Sequence, residues 1–99
     1  MYNTQNSAVK ATTVTDRVIK YINATPPAIS GDNGHSQTLS LATKLVHGFC
    51  LDGHTAASLI AQYYNVKCEP QWSMKEIDHK VSEASKLPPN KPRGWLLNG

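Results

Sequence analysis

The segment Ala28-Ile29-Ser30-Gly31-Asp32-Asn33-Gly34-His35-Ser36 places two glycines, a histidine and a serine just ahead of a helical pattern. Glycines allow backbone angles that other residues avoid. A helix N-terminus presents free N–H groups and a partial positive charge, so a phosphate could sit at Gly34 and Ser36, with His35 as a further donor. The plainer alternative is a connector in which Ser36 caps the helix. A Walker loop is excluded, because its spacing and its Gly-Lys-Ser/Thr ending are missing.

A second group is basic. Lys75, His79 and Lys86 share one side of a helical segment, and Lys80 lies roughly a quarter-turn from His79. Arg17, Lys20, Lys44, Lys67, Lys91 and Arg93 are spread through the rest of the chain. Lysine contacts to phosphates give affinity without sequence readout. The competing reading is a solvated helix face, where lysines are usually found. Trp72 and Tyr64 could stack on bases, although staple or core packing explains both.

Metal and nucleophile chemistry find less support. Zinc ligands pair at tight spacings, whereas Asp52 and Gly53 break the helix between Cys50 and His54, and Cys68 has no local partner. Both cysteines read as small buried hydrophobes with reduced thiols. The carboxylates are scattered, and Asp52 and Glu76 are better used as helix caps. No catalytic residue, metal site or intrinsic cofactor is therefore expected.

These groups need elements to position them. Ninety-nine residues, 39% of them apolar and 17% charged, suit one small domain too short for a deep independent active site. A net charge of +3 permits a polyanionic partner without requiring one. The start of the chain lacks a secretory pattern and no apolar run reaches membrane-spanning length, so a cytoplasmic protein without a membrane partner is expected.

Periodicity predicts an all-α fold: a small bundle of about four helices over residues 13–87, a flexible leader over 1–12 and an extended tail over 88–99. The first helix spans 14–23 and stops before Pro26 and Pro27. The second spans 37–47, with Gly48 placed to end it. The third starts at the acidic cap Asp52 and runs to Tyr64, with Asn65 as a left-handed stop. The fourth spans 74–85. Ser73 and Glu76 have the spacing of a capping box, and Trp72 and Ile77 that of a hydrophobic staple. Its apolar stripe is Met74, Ile77, Val81 and Ala84. Trp95, Leu96 and Leu97 are too apolar for a free tail and are expected to dock, for instance on a neighbouring domain.

The order of motifs resembles the primase C-terminal helical domain. The resemblance starts at Pro26-Pro27-Ala28-Ile29-Ser30-Gly31 and Gly34-His35-Ser36, then runs through Ala42, Gly48-Phe49, Leu51, Ala56-Ala57 and Tyr64-Asn65. It closes on Cys68-Glu69-Pro70-Gln71-Trp72-Ser73, Glu76, His79-Lys80-Val81, Ala84 and Arg93-Gly94-Trp95-Leu96. It covers about residues 13–97. Domains of this kind follow the primase-polymerase domain in replication proteins of phages, plasmids and related mobile elements, and often precede a helicase domain. Two departures stand out. Relatives often carry Arg-Asn where this chain has His35-Ser36, and Pro-Pro where it has Pro70-Gln71.

The resemblance implies a non-catalytic accessory domain that holds single-stranded template DNA and the initiating nucleotide, while a primase-polymerase domain supplies the metal-bound carboxylates. Mapped onto this chain, Gly34, His35 and Ser36 would meet the phosphates of ATP or another NTP with Mg²⁺. Lys75, His79 and Lys80, with Lys44 in addition, would meet the template backbone. An alternative is a docking module that links primase and helicase domains without touching DNA, for which the apolar tail argues. A helix-turn-helix reader ranks third, because the helix after Gly48 carries Ala56, Ala57, Ser58 and Gln62 but no arginine or lysine.

Overall fold

A computed structural model describes residues 14–29, 31, 34–88 and 91–97, so the expected leader over 1–12 lies outside the described residues. The fold is a small all-α bundle of four helices. Helix α1, Val14–Ala24, buries Val18 and Ile22. Its last carbonyls are met from far along the chain. The Lys67 ammonium donates to the carbonyls of Ile22 (2.9 Å), Asn23 (3.3 Å) and Thr25 (2.6 Å). A cation at a helix C-terminus is favoured by the aligned peptide dipoles.

Helix α2, Gly34–Thr43, begins three residues ahead of the expected start. Ser36 therefore lies inside its first turn and is not its cap. The helix continues into a π-turn, Lys44–Gly48, closed by Phe49 N–H donating to the Lys44 carbonyl at 3.0 Å. One extra residue per turn advances the buried face, and Leu45, Val46, His47, Gly48 and Phe49 are all buried in succession. Cys50, at φ +58°, takes the left-handed turn that follows.

Helix α3, Gly53–Leu59, starts as the sequence predicts. The Asp52 carboxylate accepts from Thr55 N–H at 3.1 Å and from its hydroxyl at 2.6 Å. A π-turn, Ile60–Tyr64, and a 3₁₀ turn, Asn65–Lys67, extend it. Asn65 sits at φ −61°, not in the expected left-handed stop. Its side chain is used instead as a clamp. The amide oxygen accepts from Trp72 N–H (2.7 Å) and its nitrogen donates to the Trp72 carbonyl (2.8 Å).

Helix α4, Met74–Lys86, has the expected capping box. Ser73 Oγ accepts from Glu76 N–H at 3.1 Å, and Glu76 Oε1 accepts from Ser73 N–H at 2.8 Å. Ile77, Val81 and Ala84 are buried, but Met74 is 47% exposed and falls outside the stripe. The fourth buried position on this face is Lys80.

Helix α4 packs on α2 and α3, while α1 packs on the π-turn that extends α3. Ile22, Leu41, Leu45, Ile60, Tyr64 and Ile77 fill the centre. The tail departs from the extended form expected. Residues 93–97 form turns and close onto this same chain: Gly94 N–H donates to the His47 carbonyl (2.7 Å) and Leu96 N–H to that of Gly48 (3.0 Å). Arg17 donates to the carbonyls of Leu96 (2.8 Å) and Leu97 (3.2 Å). Gly48 is required by this packing, since a Cβ there would meet Leu96 Cδ1 at 2.5 Å. Among the described residues the only β pairing is an isolated bridge between Ile29 and Glu69, and no helix is long and apolar enough to cross a membrane. Cys50 and Cys68 are free thiols, the second buried.

Candidate functional site

Three segments far apart in sequence meet at the start of α2. The first is the opening of α2 itself, which holds Gly34 and His35. The second is the connector ending at Trp72, tied to α2 by a relay in which Trp72 Nε1–H donates to Thr38 Oγ1 (3.1 Å) and the Thr38 hydroxyl donates to the Gly34 carbonyl (3.0 Å). The third is α4, which supplies Lys80. Ala28, Gly31, Gly34, His35, Glu69 and Trp72 line a cavity of about 210 Å³ between these segments.

Lys80 is the unusual group. It stands three residues after Ile77 and four before Ala84, on the apolar face of α4, and is only 5% exposed. Its ammonium lies 4.3 Å from the centre of the Trp72 ring and donates to His35 Nδ1. The indole face attracts the cation. No carboxylate forms an ion pair with Lys80 among the described residues, although Glu83 and Glu76 are near enough to favour its charge. Burial outweighs them and lowers the affinity of the amine for its proton.

The residues expected to act together are thus divided. Gly34 and His35 line the cavity, and Lys80 stands behind it, reaching His35 and the Trp72 ring, both of which line it. Ser36 and Lys44 instead line a groove of about 570 Å³ between α2 and the tail. Lys75 and His79 lie one turn apart on the open face of α4, where His79 is 3.9 Å from Glu83 and would pair with it once protonated. Among the described residues no three histidine, cysteine or acidic side chains converge as metal ligands.

Sequence reasoning missed His47 and the inward direction of Lys80. His47 is buried, with Nε2 donating to the Ala84 carbonyl (2.8 Å) and Nδ1 facing the Arg93 guanidinium at 3.4 Å. The i, i+3, i+7 spacing of Ile77, Lys80 and Ala84 was the available sign for Lys80. The π-turn left none for His47. No family model, curated protein or solved structure matches this chain.

Proposed function

We propose that the chain is a non-catalytic accessory domain for primer synthesis, which binds a nucleotide at the start of α2 and single-stranded template DNA beside it. The observation that carries this reading is the group formed by His35, Trp72 and Lys80. A buried ammonium without a paired carboxylate costs stability, so a fold that keeps one has a use for it. Here the cation stands beside a helix N-terminus, an exposed imidazole and an indole, which together suit a phosphate and a base. Glu69 on the same wall would repel a bare phosphate but suits a nucleotide that arrives with Mg²⁺.

Catalysis would belong to a separate primase-polymerase domain, with a helicase domain as a further neighbour. The docking alternative drew on the apolar tail. Leu96 and Leu97 pack on their own bundle, which weakens the argument from the tail for a docked protein partner. The test is titration of labelled single-stranded DNA, read by fluorescence anisotropy with and without ATP and Mg²⁺ at two salt concentrations. Binding that weakens with salt and strengthens with nucleotide is expected. A flat salt response, or no binding at high protein concentration, would overturn the reading.

A further inference from the structure

The groove between α2 and the tail is assigned above only through Lys44 and Ser36, yet its walls make a more complete surface. Lys44 stands on one side and Lys91 on the other, and no acidic side chain lines it among the described residues. Leu39, Ser40 and Thr43 of α2 line it together with Leu87 and Pro88. Trp95 closes the far wall with its ring half-buried and the Lys91 ammonium 5.5 Å from the ring centre. The ring stands on a fixed base, because the backbone on either side of it is bonded to His47 and Gly48 and its neighbour Leu96 is held by Arg17.

We propose that this groove binds a single-stranded segment of nucleic acid, with Lys44 and Lys91 on its phosphates and Trp95 stacked on a base. The choice of occupant follows from the chemistry of the walls. Two cations in a lining that holds no acidic side chain among the described residues select a polyanion, and the indole beside Lys91 selects one that carries flat bases. Continuity supports it as well. Ser36 lines the groove while His35, the residue before it, lines the nucleotide cavity, so a strand in the groove would end beside the nucleotide. The inference rests on the proposed function for the identity of the ligand, and it moves the main template surface from the open face of α4 to this groove.

The experiment measures binding of a short oligothymidylate, of an abasic strand of equal length and of ATP with Mg²⁺. The full chain is compared with Lys44→Gln/Lys91→Gln, Trp95→Leu and His35→Ala. The double lysine variant should bind oligothymidylate about tenfold more weakly. Its slope of log affinity against log salt should be shallower by about 0.7 for each lysine, with ATP binding unchanged. Wild type should prefer the base-bearing strand over the abasic one, and Trp95→Leu should lose that preference. If Trp95→Leu releases the tail, the lysine variant, whose substitutions lie on the surface, still decides the matter. Wild-type oligothymidylate binding by the double lysine variant, with His35→Ala weakening ATP, would sink the groove and leave the proposed function standing. Failure of the wild type to bind either ligand would remove both.

Discussion

The two histidines of the second helical segment sit at opposite ends of it in opposite circumstances. His47, at the end, is buried and satisfied on both nitrogens, by the Ala84 carbonyl and by Arg93. His35, at the start, is exposed and receives a lysine that has no backbone acceptor of its own. Each end pairs a histidine with a cation, Arg93 in one case and Lys80 in the other. At the His47 end the polar groups are matched and the packing is closed, as a structural joint requires. At the His35 end a buried charge is left partly compensated beside an open cavity. The difference separates an anchored end of one helical segment from an end left beside an open cavity, which is where the proposed ligand site lies.

The comparison can be broken most directly at the closed end. Gly48→Val would push a branched side chain into Leu96 and Trp95, at a cost of about 3 kcal/mol. A large drop in the urea midpoint is expected, with ATP affinity of the folded fraction retained. Loss of ATP binding without loss of stability would show that the two ends are not separate in role.

Lys80→Met sharpens the other side. Removing a desolvated charge should raise stability by about 1 kcal/mol, while ATP binding falls about tenfold. The pH dependence follows from the same burial. The folded Lys80 gives up its proton more readily than the unfolded one, so as pH climbs toward its ordinary value of 10.5 the unfolded state holds more protons and stability contributed by this group increases. Lys80→Met should lack that alkaline gain. If the variant is less stable than wild type at neutral pH, Lys80 is a structural group and the contrast fails.

Smaller effects belong to the caps, which serve neither end. Ser73→Ala should cost about 1 kcal/mol in chemical denaturation and leave ligand binding untouched. Asp52 and Glu76 are held below their ordinary values of 3.8 and 4.5, in each case chiefly by hydrogen bonds, to Thr55 and to Ser73. Their contribution is present above those values and is lost as pH falls through the lower folded ones, so the thermal midpoint should decline below about pH 4.5. A midpoint that holds steady down to pH 2 would show that the caps add nothing.

Local signals in the sequence located much of this fold. Ser73 with Glu76, and Asp52 ahead of an apolar run, mark helix starts because a cap depends on residues three apart. The paired prolines after α1 mark its end for a similar reason. What escaped notice depends on distant contacts. Asn65 reads as a stop from its type alone, but its use as a clamp requires Trp72 to return beside it. Gly48 reads as a terminator, and its real constraint is a leucine far along the chain. The π-turns shift the buried face by one residue, which no count at a period of 3.6 would register. For the candidate site, the sequence named His35 and Lys80 separately, while their meeting is a product of the packing of α2 on α4.

Arg17 has one further consequence. Its guanidinium, in the first turns of α1, holds the carbonyls of Leu96 and Leu97. The last described residues are thereby kept within one side chain's reach of the first helix. A unit whose two ends are neighbours can be set into a surface loop of a larger protein without stretching either strand of the host. By the same reach, a short flexible bridge between the start of α1 and Leu97 would leave the Arg17 bonds to Leu96 and Leu97 in place.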